Sequence, residues 1–253
     1  MPSVPLHGLV VLTATAVTVA AGILLSRGWR RRHGKAAHPG ELSTFVEVIG
    51  TLYAVLVAFV LLSVWDQYNT AHTAADREAS QIADLVRLTS GLPEPSASHL
   101  RDAIREYAAA VADEEWTLMA RGDRSPRAEH ALDDLWKTLV ATEPVGSRAI
   151  TVHGQALERL RSASDSRQDR LSQASPSVHS TIWILLIGGA ALTLLSAAFL
   201  ETSAGIHLPM NAGLALMIAF ILYLIFAFDH PFSHDVGTGP DAFRAVVDMV
   251  RHQ

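Results

Sequence analysis

The sequence contains no cysteine, and charged residues are almost absent from four long stretches of it. Without cysteine the chain has no disulfide bond, no reactive thiolate and no cysteine-based metal site. A formal net charge of −5 gives no electrostatic reason to expect nucleic acid as a partner. The sequence also lacks a glycine-rich phosphate loop, a nucleophile elbow and a His-Glu-x-x-His zinc motif. Nothing in it therefore predicts an enzyme, a bound metal or a cofactor.

Apolar residues make up 49% of the chain and are clustered into long runs. A helix needs about 20 predominantly apolar residues to cross the hydrocarbon core of a bilayer. Four runs meet this requirement, and Glu47 is the only charged residue within them. We therefore predict a multi-pass protein of the cell membrane, with lipid as its solvent and with two pairs of spans: about 9–26 and 42–65, then about 181–200 and 208–228.

These spans divide the chain into four parts: a first membrane pair, an extramembrane helical domain, a second membrane pair and a C-terminal tail. The parts are predicted at residues 1–65, 66–178, 179–229 and 230–253.

The charge of the connecting segments predicts the orientation. Residues 27–41 hold five Lys or Arg side chains, whereas residues 1–8 hold none. Because short loops rich in positive charge stay in the cytoplasm, we place loop 27–41 there and the helical domain outside the cytoplasm.

The pattern of residues 66–178 is helical, without the alternation of a strand. After Trp65 the sequence runs to Leu88 without Pro or Gly, which predicts one long helix that continues the second span. Ser125-Pro126 is typical of a helix N-terminus. The acidic residues of this domain are interpreted as solvated helix faces. Helices are predicted at about 42–90, 98–121, 126–142 and 147–174.

Two further features concern the helix ends. The last helix of the domain is expected to lead into the third span with a kink at Pro176. In the tail, Pro240 opens a short amphipathic helix that packs on the domain or lies on the membrane surface. The predicted fold class is all-α: a four-helix transmembrane protein with an extramembrane helical domain that continues its second, and by this kink its third, membrane helix.

Several short strings together resemble the bestrophin-like bacterial membrane proteins of unknown function. Their order and spacing carry the resemblance from about residue 43 to 247. The family name implies distant kinship with bestrophins, which are pentameric anion channels whose second membrane helix lines the pore. The strings are Leu52-Tyr53-Ala54-Val55-Leu56, Val64-Trp65-Asp66-Gln67-Tyr68, Glu78-Ala79 with Asp84-Leu85 and Arg87-Leu88, Glu115-Trp116, and Asp229-His230-Pro231-Phe232-Ser233.

Polar residues inside the spans have two interpretations. Ionisable residues in a membrane are costly and usually face a bundle interior or water. The stripe that contains Glu47 is either a helix-packing face near the membrane surface or the lining of an ion pathway, where an acid would favour cations. The residues of this stripe are Glu47, Gly50, Thr51, Ala54 and Ala58. In the third span, Gly188-Gly189 indicates close helix packing.

The residues that follow the second and fourth spans are expected at a membrane interface. Trp and Tyr are ordinary anchors there, and Asp66 either pairs with an Arg or lies at a pore mouth. His230 and His234 stand four residues apart, but Pro231 between them argues against a metal site on a helix. The predicted interface residues are Trp65, Asp66, Tyr68, Asp229 and His230.

Two functions remain open from the sequence. The first is an oligomeric channel made of copies of this chain, with an ion as the transported species. The second is a membrane-anchored interaction or sensor module, whose helical domain binds a partner without conduction.

Overall fold

A computed structural model describes residues 39–199, 204–233 and 239–252. These residues form helices and connecting turns and contain no strands, which confirms the all-helical prediction for the described part of the chain. The helices are α1 (Pro39–Thr89), α2 (Ser96–Ala110), a π-helical turn (Val111–Glu115), α3 (Trp116–Met119), α4 (Pro126–Val140), α5 (Ser147–Ser172), α6 (Ser180–Phe199), α7 (Ala204–Phe228) and α8 (Asp241–Arg251).

Three of these helices are long and apolar enough to cross a membrane. The apolar segments lie in Ser43–Thr89, Ser180–Ala197 and Pro209–Phe228. The predicted span at about 9–26 lies outside the described residues, as does loop 27–38. The structure therefore contains three of the four predicted spans among the residues that it describes.

The chain divides into two compact units. The membrane unit comprises the described residues up to Asp66 together with Val178–Asp229. The helical unit comprises Gln67–Ser177 and the described residues from His230 onward. Helix α1 contributes its first part to the membrane unit and its second part to the helical unit.

In the membrane unit, α6 packs against α7, and one face of α1 is buried with them. Tyr53 of α1 lies against Gly189 of α6, where an added Cβ atom would come within 2.6 Å of the tyrosine ring. Close approach of the two helices therefore depends on the missing side chain at Gly189, so the packing predicted for the glycine pair is found at Gly189 alone. The neighbouring Gly188 faces open space.

In the helical unit, α2 packs against α4 and α8 over one apolar core. The helix ends of this unit are stabilised by local contacts. Ser125 caps α4, since its hydroxyl accepts a hydrogen bond from Ala128 N at 3.1 Å. Gly122 ends the preceding segment at a φ of 76°, a conformation that favours glycine. The tail helix α8 buries Phe243, Val246 and Val250 in this core, so it packs on the helical unit.

The helix predicted at about 98–121 is present as α2, the π-helical turn and α3, which follow one another without a break. The expectation that the last helix of the domain leads into the third span with a kink is wrong. Helix α5 ends at Ser172 and α6 begins at Ser180, so the domain does not continue into the third span as one helix. Pro176 lies in the gap and lacks the backbone N–H that a continuous helix needs, which explains the break.

Candidate functional site

The helical unit buries two acids and two arginines in contact with one another. We call Glu78, Tyr107, Glu115, Arg167 and Arg170 the ion cluster. Glu78, Tyr107, Glu115 and Arg170 are fully buried, and Arg167 retains 9% exposure. Burial of unpaired charges is very costly, so the charges of such a cluster must be paired.

Helix positions bring these side chains together from distant parts of the sequence. Glu78 lies on α1, on the alanine-rich face that also buries Ala71, Ala75 and Ala79. Small side chains on that face leave room for the guanidinium of Arg170, which enters from α5. Glu115 is the last residue of the π-helical turn, and Tyr107 precedes it on α2.

Arg170 is the centre of the cluster, because each of its three nitrogens donates a hydrogen bond. Its Nε donates to Glu78 Oε2 at 2.7 Å, and its Nη2 donates to Glu115 Oε2 at 2.7 Å. Its Nη1 lies 2.6 Å from the sulfur of Met119. The guanidinium also lies 5.8 Å from the ring of Trp116 and 5.5 Å from that of Phe243, within the range of cation–π contacts.

Of the two remaining members, Arg167 completes the charge balance and Tyr107 adds a hydrogen bond. The Arg167 Nη2 donates to Glu115 Oε1 at 2.6 Å, so Glu115 is held by both arginines. The Tyr107 hydroxyl donates to Glu78 in a short hydrogen bond. Two carboxylates face two guanidinium groups, and the cluster is therefore neutral as a whole.

The surroundings shift the pKa values of the buried groups. Burial raises the pKa of Tyr107 well above its ordinary value, and the charge of Glu78 adds to this effect. Burial by itself lowers the pKa of Arg170, but the charges of Glu78 and Glu115 and the hydrogen bond to Glu78 outweigh it and raise that pKa. Tyr107 thus stays a hydrogen-bond donor and Arg170 stays charged.

The interpretation of the domain's acids as solvated faces is wrong for Glu78 and Glu115, which are both fully buried. Their sequence context held a signal, because Glu78 falls at helical spacing with Ala71, Ala74 and Ala75, all of which are buried. Both acids also belong to strings that carry the family resemblance, Glu78-Ala79 and Glu115-Trp116. The partner arginines had no comparable signal.

In the membrane unit the predicted stripe lies on the surface of α1. Glu47, Thr51, Ala54 and Ala58 are exposed, and Gly50 is half-buried. The Thr51 hydroxyl donates a hydrogen bond to the backbone carbonyl of Glu47 at 2.8 Å. The stripe runs beside the face that packs on the other membrane helices, which buries Tyr53, Val57 and Val64.

A third face of α1 is large and apolar. Its side chains are between 51% and 70% exposed. Helix α1 therefore presents a packing face, a small and partly polar stripe, and a broad apolar face around its circumference. The residues of the apolar face are Phe45, Val48, Leu52, Val55, Phe59 and Leu62.

Three of the predicted interface residues, Trp65, Asp66 and Asp229, belong to the membrane unit. Trp65 is 47% exposed, and its ring contacts that of Phe228 edge-on at 5.0 Å. Asp229 is buried, and its Oδ1 accepts a hydrogen bond from Val178 N at 3.0 Å. The structure thus brings the end of α7 together with the segment that precedes α6 and with Trp65.

The other predicted interface residues differ in exposure. Asp66 is exposed, and Tyr68 and His230 are half-buried. Glu47 and Trp65 stand 18 residues apart on one helix, which is about 27 Å along its axis.

A metal site involving the histidines after α7 gains no support from the described residues. Within that part of the chain, no group of three or more His, Asp or Glu side chains is arranged to hold a metal ion. His234 lies outside it.

Comparison with known proteins agrees with this architecture. The family model of the bestrophin-like domain matches residues 13–243. Two crystal structures of mutants of a bacterial bestrophin homologue from Klebsiella pneumoniae are similar to the chain. One is 11% identical with a TM-score of 0.70, and the match covers 98% of each chain. The other is 14% identical with a TM-score of 0.66 and covers 100% of this chain and 97% of that one.

The crystal structure of a mutant of a protein described as a membrane protein is similar as well, at 12% identity and a TM-score of 0.68, with 96% of each chain covered. At these identities the likeness concerns the fold. No protein with a curated description matches the chain significantly.

Proposed function

Because the chain belongs to the bestrophin-like family, we propose that it assembles with copies of itself into a channel-like membrane protein in which the stripe of α1 lines an ion pathway. The family membership rests on the match over residues 13–243. The observation that carries the proposal is the exposure of Glu47, an acid on the surface of an apolar helix that is long enough to cross a membrane.

Lipid is an unfavourable neighbour for this acid. Ionisable side chains within membrane spans are costly, so they usually face other protein or water. Within the described part of one copy of the chain, the face of α1 that is buried with α6 and α7 is not the stripe. Further copies, arranged so that their stripes share a water-filled axis, satisfy the requirement.

The division of α1 into faces supports the same assembly. Small side chains at Gly50, Ala54 and Ala58 leave space along the stripe, whereas the broad apolar face is suited to lipid or to a neighbouring copy. A ring of Glu47 carboxylates along the pathway favours cations over anions. For the orientation we propose a cytoplasmic loop 27–41 and a helical unit outside the cytoplasm, because of the basic residues in that loop.

Reconstitution in planar bilayers tests the proposal. We expect single-channel currents from the purified oligomer and a lower cation-to-anion permeability ratio in Glu47→Gln. The matched control is Glu94→Gln, since Glu94 is an exposed acid of the helical unit, and its permeability ratio should equal that of the unmodified protein. A clean oligomer without current above background in any common salt, or a monomer in detergent by light scattering, would rule the channel out.

The second candidate function is a membrane-anchored module that binds a partner. A specific observation favours it: in the described part of the helical unit, the large apolar side chains with strong exposure are concentrated at the corner between α4 and α5. Val140, Val145 and Ile150 are 64%, 81% and 58% exposed. Clusters of exposed apolar side chains often mark interaction sites.

Affinity capture with the full-length protein distinguishes this module from the channel. A stoichiometric partner that is retained by the unmodified chain and lost in Val145→Asp supports the module. Glu143→Gln, two residues away and also exposed, is the control that should keep the partner. The module is ruled out if no protein is captured in stoichiometric amount.

A further inference from the structure

The π-helical turn Val111–Glu115 ends in two neighbouring glutamates, and each of them accepts hydrogen bonds from a different part of the helical unit. Glu115 accepts hydrogen bonds from Arg167 at 2.6 Å and from Arg170 at 2.7 Å, both on α5. Glu114 Oε1 accepts a hydrogen bond from the Ser125 hydroxyl at 2.7 Å. That hydroxyl in turn caps α4. The turn is therefore fastened at its end to α5 and to the start of α4.

Such a turn contains one residue more than a regular α-helix of the same length. Its hydrogen-bond geometry is rare and is found mostly where other contacts maintain it, frequently at functional sites. The bonds of Glu114 and Glu115 are contacts of this kind. When they are lost, the segment can relax towards an α-helix, and a slip of one residue turns the adjoining side chains by about 100° about the helix axis.

We propose that the turn is a two-state conformational switch: in the π-helical state Glu115 binds both arginines, and in the α-helical state it is released. Trp116 and Met119 follow the turn directly and would rotate with it. The Trp116 ring lies 5.4 Å from that of Phe232 and 6.0 Å from that of Phe243. Since Phe243 belongs to α8, the state of the turn determines how α8 is held in the helical unit.

Arg167 is the charged member of the ion cluster that has a nitrogen unsatisfied among the described residues, so the release of Glu115 can begin at its pair with Arg167. Arg170 donates from all three of its nitrogens. By contrast, the buried Nε of Arg167 makes no hydrogen bond within the part of the chain that the structure describes. The pair of Arg167 and Glu115 is thus the less completely satisfied side of the cluster.

Arg170 connects this switch to the long helix. It binds Glu115 of the turn and Glu78 of α1 at the same time, so release of Glu115 leaves Arg170 with Glu78 as its remaining acidic partner. A two-state element whose equilibrium is shared by two sites is the physical requirement for coupling between them. The switch does not depend on whether the protein conducts ions.

Hydrogen exchange followed by mass spectrometry on the full-length protein tests the switch. In Glu115→Gln we expect exchange of residues 111–119 and 241–251 to be roughly tenfold faster or more, because a bond to a charged partner is lost. Exchange in α4 and α5 should change much less. Glu106→Gln is the matched control, since Glu106 is an exposed acid paired with Arg127, and it should leave both segments unchanged.

A deletion separates the switch from a general loss of stability. Removal of the exposed Asp113 takes the surplus residue out of the turn, so that no slip is possible. In this background, Glu115→Gln should no longer accelerate exchange of 241–251. Equal acceleration in all helices of the unit, no acceleration in either segment, or the same acceleration in the deletion background would each overturn the proposal.

A milder variant keeps the test decisive if Glu115→Gln does not fold. Ser125→Ala removes the partner of Glu114 together with the cap of α4, and it leaves the ion cluster intact. We expect faster exchange in 111–119 and 241–251, to a smaller extent than in Glu115→Gln. Unchanged exchange of both segments in Ser125→Ala would then reject the switch.

Discussion

The guanidinium of Arg170 binds the carboxylate of Glu78 through two hydrogen bonds, although 92 residues separate them in the sequence. The bonds run from Nε to Oε2 at 2.7 Å and from Nη2 to Oε1 at 3.1 Å. Both side chains are completely buried. This pair joins the long helix α1 to α5 within the helical unit.

Replacement of Arg170 by Met should destabilise the helical unit strongly. The substitution leaves Glu78 and Glu115 buried with less positive charge, and removal of one partner from a buried ion pair typically costs about 3–5 kcal/mol. Arg105→Met is the control, because Arg105 pairs with Asp102 on the surface, where such pairs contribute about 0–1 kcal/mol. Thermal unfolding in detergent, followed by circular dichroism, compares the two. Equal effects of both variants would contradict the role assigned to Arg170.

Tyr107→Phe should lower the free energy of unfolding, because it removes the hydroxyl that donates a hydrogen bond to Glu78. A hydrogen bond to a charged group contributes about 1.5–3 kcal/mol. The substitution should also change the response to alkaline pH. The pKa of Tyr107 is raised in the folded state, so its contribution to stability is complete below the ordinary tyrosine pKa of about 10 and is lost as the pH rises through the folded pKa.

The measurement is unfolding as a function of pH from neutral to the highest pH at which the detergent is stable. We expect the unmodified protein to lose stability above about pH 10 and Tyr107→Phe to lose less over the same range. Identical slopes for the two proteins in that range would show that Tyr107 does not keep its proton in the folded state.

Gly189→Ala should disturb the contact between α6 and α1, because the added Cβ would lie 2.6 Å from the ring of Tyr53. Overpacking of this kind typically costs about 1–3 kcal/mol. The neighbouring Gly188 is a matched control within the same helix, since a Cβ there meets no atom within 4 Å. Thermal unfolding should therefore distinguish Gly189→Ala from a nearly neutral Gly188→Ala, and equal effects would argue against close packing at Tyr53.

Phe243→Ala should remove the anchor of the tail helix. Phe243 is fully buried in the core of the helical unit and contacts both Trp116 and Arg170. Truncation of a buried Phe usually costs about 3–5 kcal/mol. Limited proteolysis should cleave the tail of this variant faster than that of Arg244→Ala, whose side chain is 60% exposed. If the two tails resist protease equally, α8 is not held by Phe243.

Much of the fold could be predicted from local patterns. The end of α1 near Gly91 and Pro93, the start of α4 at Ser125-Pro126 and the apolar side of α8 depend on neighbours in the sequence. Less of the candidate site could be predicted from the sequence. The stripe around Glu47 follows from periodicity. The ion cluster does not, because the alanine spacing around Glu78 gives no indication of which arginines pair with the buried acids. Glu78 and Glu115 can be buried because Arg167 and Arg170 form ion pairs with them.

The sequence by itself determined that this protein belongs in a membrane and is helical. Long apolar runs need lipid, and the spacing of apolar residues between them fits helices, whatever their neighbours are. Only the tertiary structure decided which charges are buried, where the chain forms a π-helical turn and which face of α1 is left exposed. These features depend on side chains that meet across as many as 92 residues, and the free energy of such contacts is set by packing that no local pattern contains.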